Sequence, residues 1–127
     1  PELTDRFKIS NVEEVMPRNG DVSVMSAVLE HAENPYQLLA NVLSTTSHIV
    51  ILRTYLGDIE MVDMIEGEDI LVPYYARQFS LFKMANLFLE HGFIPKLQQD
   101  IATNHSTPYQ VGSNLLRQVY ILVGSKK

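Results

Sequence analysis

Residues 21–35 read D-V-S-V-M-S-A-V-L-E-H-A-E-N-P. An apolar run from Val22 to Leu29 stops on a carboxylate and an imidazole, Glu30 and His31, and Asn34-Pro35 follows. Both faces of the run carry apolar or small side chains, the pattern of a parallel strand covered by helices on each side. Asn34 suits the N-cap of a helix, and Pro35 suits its first position, where proline's missing N–H is not needed. The stretch therefore reads as strand, short charged junction, helix.

The same alternation continues on either side. Leu38, Leu39, Val42 and Leu43 share one face of a helix predicted over 35–44. Ser44-Thr45-Thr46-Ser47 ends it, and His48 to Leu52 is a strand that is again apolar on both faces. Upstream, Arg6 to Ser10 alternates like a short strand, and Pro17 to Gly20 reads as a turn. Residues 56–73 form a long connection holding six acids and no base. Ser80 caps a second helix that runs to His91 and stops at Gly92. Its residues are apolar almost all round, which predicts deep burial. Phe93 to Ile101 and Leu115 to Val123 are the last strands, separated by a polar loop over 103–114. No helix joins them, so they should run antiparallel. The order β-β-α-β-α-β-β gives one α/β domain over 1–127, with a mixed sheet and flanking helices.

Composition narrows the function. The chain has 127 residues, enough for one core, and its 46% hydrophobic and 20% charged residues are ordinary for a globular domain. A net charge of −5 argues against nucleic acid, which calls for a basic stripe. No apolar run approaches the ~20 residues of a membrane span. The absence of cysteine excludes disulfides and thiolate metal sites and fits a reducing, cytoplasmic compartment. His48, His91 and His105 lack metal-ligand spacing, so no metal is expected.

The junctions together resemble the later part of a class I S-adenosylmethionine-dependent methyltransferase. The resemblance is carried by four elements in order: D21-V-S-V-M-S-A-V-L-E-H-A-E-N-P35, the helix, turn and strand of 35–52, F79-S-L-F-K-M-A-N-L-F-L-E-H-G-F93, and the closing strand Y-I-L-V-G at 120–124. Upstream, F7-K-I-S-N-V-E-E-V15 is similar to the family's third strand and the acidic segment on the adenine side. The resemblance covers nearly the whole chain. It implies a Rossmann-like sheet that is incomplete on its N-terminal side, because the family's first strand, Gly-rich loop and ribose-binding carboxylate would lie before Pro1. The six glycines form no G-x-G cluster. Ser44 to His48 also replaces the family's glycines, and Arg53-Thr54 is unusual for the family.

The resemblance implies S-adenosylmethionine as cofactor. Asn11 and Val12 would meet its adenine, Asn11 through its amide and Val12 through its N–H, and Ser26 and Ala27 would border its methionine part. The plainer reading makes all four ordinary turn and strand-end residues. His31 could serve as a general base toward an acceptor hydroxyl, or merely orient the loop. Tyr74, Tyr75 and Arg77 could line an acceptor pocket, or pack as rim residues. The expected activity is methyl transfer to a small-molecule or saccharide-like acceptor, with the chain inactive alone for want of the Gly-rich loop. The alternative is a non-catalytic Rossmann-like module for assembly or regulation; another Rossmann-like ligand binder is a third. In the family the fourth strand pairs with the first. Without that partner, Val22 to Leu29 offers an open edge, expected to be covered by a second copy of the chain, by a relocated N-terminal strand or by a missing N-terminal segment.

Overall fold

The computed structural model describes residues 11–104, 110–111, 115–116 and 118–127. In chain order the elements are β1 (Gly20–Ser26), a single 3-10 turn (Leu29–His31), α1 (Pro35–Thr45), β2 (Thr46–Gly57), β3 (Met61–Ile65), β4 (Tyr74–Ser80), α2 (Leu81–Glu90), β5 (Phe93–Gln99), the short α3 (Ile101–Asn104), β6 (Gln110–Val111), β7 (Leu115–Leu116) and β8 (Val119–Lys126). The strand expected at Arg6 to Ser10 lies outside the described residues.

Strand β2 is the axis of the main sheet. It pairs in parallel with β1 from Gly20↔Thr46 to Ser26↔Arg53. It pairs antiparallel with β8 from Ile49↔Ser125 to Tyr55↔Val119. Where β1 has ended, β4 joins β2 in parallel at Leu56↔Phe79 and Gly57↔Ser80. β3 closes an antiparallel hairpin on β4, and β5 runs antiparallel to β8 at the far side. The α/β class, the mixed sheet and the antiparallel final pair agree with the sequence reading.

Two helix ends show how local chemistry sets the elements. Ser80 is the N-cap of α2, its Oγ accepting the Lys83 N–H at 3.3 Å. Gly92 follows α2 with φ of 82°, a left-handed conformation that glycine adopts without cost. The end of α1 has no glycine. Instead the hydroxyls of Ser44, Thr45 and Thr46 donate to the carbonyls of Ala40, Asn41 and Val42 at 2.8, 2.9 and 2.7 Å. These are bonds from each side chain to the carbonyl one turn back, which draw the three hydroxyls onto the helix rather than into solvent, and the chain passes straight into β2. Asn34 holds the N-cap position of α1, but its side chain makes no capping bond.

The core lies on one face of the sheet. Leu38, Leu39, Val42 and Leu43 of α1 and Met84 and Phe88 of α2 pack with Met25, Val50, Leu52, Leu56, Phe93 and Leu122. The strand register puts Val22, Val24, Ile49, Ile51, Ile121 and Val123 on the opposite face. There Val22 and Val24 are 54% and 65% exposed. The expectation that Val22 to Leu29 is buried on both faces is therefore corrected: among the described residues, α1 and α2 pack on one face, and the exposed Val22 and Val24 lie on the other. The same applies to α2, whose Phe82 and Leu89 are exposed because the helix meets the sheet on a single side.

Other expectations shift in extent. The acidic stretch 56–73 is not a plain connection: it holds β3, and Tyr74 opens β4. The strand expected at 48–52 runs from Thr46 to Gly57. The strand expected at 93–101 ends at Gln99, where the chain turns into α3, and the one at 115–123 divides into β7 and β8.

Gly124 marks a close contact between α2 and the sheet. A Cβ there would collide with the Phe88 ring and press on Phe93. Gly124→Ala should cost about 1–3 kcal/mol by overpacking; urea unfolding of the variant against the parent measures it.

Candidate functional site

At the carboxyl end of β1, a cavity of about 490 Å³ opens between the 11–13 segment, the β1–α1 junction and the first turns of α1. Ligands of open α/β sheets bind at such strand ends. Asn11, Val12 and Glu13 form one wall, Ala27, Val28, His31 and Ala32 another, and Leu38 contributes from α1.

Local chemistry holds the first wall in place. The Asn11 carbonyl accepts the N–H groups of Glu14 and Val15, at 3.1 and 2.9 Å, and its Oδ1 accepts that of Glu13 at 3.1 Å. This turn commits the acceptor end of the Asn11 amide. The Val12 carbonyl accepts Asn41 Nδ2 at 2.6 Å, and Asn41 Oδ1 accepts Gln37 Nε2 at 2.8 Å. Asn41 was not singled out from the sequence. Its signal was available: a polar residue among Leu38, Leu39, Val42 and Leu43 on a core-facing helix needs a buried partner.

The second wall is strained at one residue. Ala27 has φ of 55°, the left-handed region that costs an alanine about 1 kcal/mol. Its N–H donates to the Arg53 carbonyl at 3.1 Å, which extends the β1–β2 ladder one residue past the strand and turns the chain toward the cavity. Such strain concentrates at functional sites. Ser26 precedes it, exposed at the strand end, and does not line the cavity.

His31 stands between this cavity and β4. Its Nδ1 lies 2.7 Å from the Tyr75 carbonyl oxygen, and its ring meets the Tyr74 ring edge-on at 5.1 Å. The structure thus gathers His31, Tyr74 and Tyr75. Arg77 is used differently. Its Nε and Nη2 donate to the carbonyls of Ala32 and Glu33 at 3.1 and 3.3 Å, and its guanidinium sits 4.9 Å from the Tyr75 ring centre. It also borders a second cavity of about 330 Å³ with Tyr36, Glu60 and Phe79.

Glu30, only 3% exposed, lies beneath the junction and accepts the Thr54 hydroxyl at 3.3 Å. Burial raises its carboxyl above the usual carboxylate range, although its own backbone N–H, His31, Thr54 and Arg53 oppose the shift. On the other side of β2, Arg53 Nε donates to Asp100 Oδ2 at 2.7 Å and Nη2 to Thr103 Oγ1 at 2.8 Å. Hydrogen bonds from Thr103 and Arg53 hold the Asp100 carboxyl below its ordinary range. The Arg53-Thr54 pair noted in the sequence therefore joins two networks, one on each face of the sheet. Among the described residues, no cluster of three His, Cys, Asp or Glu could hold a metal, and no helix is long and apolar enough to cross a membrane.

No family model matches the sequence, and no curated protein matches it significantly. Solved structures do. The chain is similar to the 1,6-didemethyltoxoflavin-N1-methyltransferase of Burkholderia thailandensis, solved with 1,6-didemethyltoxoflavin and S-adenosylhomocysteine, at 14% identity and a TM-score of 0.61 over 98% of this chain and 55% of that one. It is similar to the N-terminal domain of EvdMO1 with S-adenosylhomocysteine bound, at 15% identity and a TM-score of 0.57, covering 94% and 53% of the two chains. It is also similar to magnesium protoporphyrin IX methyltransferase of Synechocystis PCC 6803 with bound S-adenosylmethionine, at 13% identity and a TM-score of 0.53, covering 93% and 44%. These likenesses define the fold: the chain has the Rossmann-like sheet of class I S-adenosylmethionine-dependent methyltransferases. It spans about half the length of the solved structures it matches.

Substitutions at two positions test the junction. Ala27→Gly should be neutral or gain up to about 1 kcal/mol, while Ala27→Val should lose more than 1 kcal/mol by forcing a β-branched residue into φ of 55°. Glu30 holds its proton more tightly when folded than when unfolded. Wild-type stability should therefore fall as pH rises from the unfolded value of 4.5 through the higher folded one. Glu30→Gln should remove that slope and gain on wild type toward neutral pH, as thermal melts across the pH range would record.

Proposed function

We propose that this chain carries part of a methyltransferase that uses S-adenosylmethionine to methylate a small-molecule or saccharide-like acceptor. The observation that carries the reading is the cavity of about 490 Å³ at the end of β1, to which Asn11, Val12, Ala27 and His31 all contribute. Its chemistry fits part of the cofactor. Val12, Val28 and Leu38 give an apolar surface for a flat base, and the Nδ2 end of the Asn11 amide is the donor it retains. Ala27 and Ser26 lie at the strand end, on the methionine side. The ribose carboxylate and glycine loop would be supplied from outside these residues.

Bound S-adenosylmethionine supplies a methyl group on a sulfonium sulfur, which keeps the bonding pair when the acceptor atom takes the methyl. The chain's own residues do the remainder. Holding the acceptor against the cavity supplies proximity. A reacting hydroxyl releases a proton, and His31 is the side chain placed to take it. Tyr74 and Tyr75 flank His31 as the wall on the acceptor side. The cysteine-free sequence fits a reducing compartment, and the reading proposes the cytoplasm.

Calorimetry with S-adenosylhomocysteine tests this. The 127-residue chain alone should bind at about millimolar or weaker, because half the contacts are lacking. Micromolar binding to the chain alone would overturn the partial-site reading. Failure to bind even with the preceding segment of the parent protein restored would favour a non-catalytic assembly module.

Among the described residues β1 is paired along one edge and open on one face, and we propose that these are covered by a second copy of the chain, by a relocated N-terminal strand or by that preceding segment. Val22 and Val24 are too exposed to be left in water together with Ile49, Ile51, Ile121 and Val123. Sedimentation of the isolated chain should show concentration-dependent association, and Val24→Lys should reduce it. A chain that stays monomeric at high concentration would refute the proposal.

A further inference from the structure

Three hydrogen bonds cross between β4 and the β1–α1 junction, one donated by the junction and two by β4. His31 of the junction reaches the Tyr75 carbonyl of β4, at 2.7 Å. Arg77 of β4 reaches back to the carbonyls of Ala32 and Glu33, at 3.1 and 3.3 Å. β4 meets β2 at only two residue pairs, Leu56↔Phe79 and Gly57↔Ser80, and it is these bonds that tie its first residues to the junction beside the cavity.

A carbonyl oxygen can only accept. The 2.7 Å contact therefore requires the proton of neutral His31 on Nδ1 and leaves Nε2 bare. An unconstrained histidine favours the opposite tautomer, so the Tyr75 carbonyl selects the less common form. The ring lines the cavity, and Nε2 is its remaining nitrogen. A bare Nε2 accepts a hydrogen bond or a proton; it cannot donate one until it is protonated.

We infer that Arg77 is a positioning residue: by gripping Ala32 and Glu33 it holds the junction so that the Tyr75 carbonyl fixes His31 with Nδ1 protonated and Nε2 open toward the cavity. Arg77 touches no acceptor in this role. Lysine could not replace it, because an ammonium lacks the planar fork that reaches two carbonyls together. Resting on the methyl-transfer reading, the inference also narrows the acceptor. An open Nε2 suits a nucleophile that carries an O–H or N–H and must give up that proton. It does nothing for an acceptor that reacts as a carboxylate.

Nitrogen NMR of the imidazoles in the 127-residue chain, at a pH where histidine is neutral, tests this without cofactor. His91 is an internal control: its Nδ1 lies 2.9 Å from the Leu87 carbonyl within its own helix, away from Arg77. Wild type should show His31 and His91 both protonated on Nδ1. Arg77→Met and Arg77→Lys should each shift the His31 tautomer ratio roughly fivefold toward Nε2–H, the equivalent of one typical hydrogen bond, with His91 unchanged. His31 already protonated on Nε2 in wild type, or unmoved in both variants while His91 reports an intact fold, overturns the inference. If Arg77→Met does not fold, Arg77→Lys decides. Phenol titrated into the labelled chain should move His31 Nε2 and benzoate should not; the reverse, or no movement by phenol, removes the acceptor class. Calorimetric failure with S-adenosylhomocysteine would leave the tautomer result standing, so the two readings fail separately.

Discussion

The length of β2 is the constraint on which the site depends. Twelve residues are enough for β1 to pair along its first part, β8 along its middle and β4 at its last two residues. Because β1 stops at Ser26 while β2 runs on to Gly57, the chain leaving β1 finds open space beside β2. The 3-10 turn at Leu29–His31 and the β3–β4 hairpin meet there. A β2 that ended at Leu52, as its apolar run alone suggested, would give β4 nowhere to attach and His31 no carbonyl to bind.

Packing on one face explains the rest of the architecture. Helices α1 and α2 lie on the side of Met25, Val50, Leu52 and Leu122, and α2 packs Phe88 directly on Gly124. That side holds a continuous core, with Glu30 and Asn41 buried at its border. The other side keeps its valines and isoleucines partly or largely exposed among the described residues. Among the described residues, β1 is paired on one edge and covered on one face, so it carries more apolar surface than those surroundings use.

Much of this was legible in the sequence, for identifiable reasons. Ser80 and Gly92 bound α2 by capping chemistry that acts within a few residues. Pro35 starts α1 for a similarly local reason, and the 3.6-residue apolar period marks the face it buries. The junction at Glu30-His31 was legible because a strand rarely runs into a carboxylate and an imidazole without a change of structure. β3 and β4 were not legible. M-V-D-M-I carries an acid in the middle, and its pairing with Tyr74 to Gln78 has no local signature. Nor was the role of Arg77, which depends on two carbonyls more than forty residues away in sequence.

By itself, then, the sequence determined the α/β class, the helices α1 and α2 with their ends, and the change of structure at Glu30-His31. Only the tertiary structure decided which face of each strand is buried, that the acidic stretch carries a strand, and that β4 holds His31 by a backbone carbonyl. The reason is range. Caps and periodicity are written within one or two turns of chain. Register, coverage and the tautomer of an imidazole are set by groups that meet only after the sheet has formed.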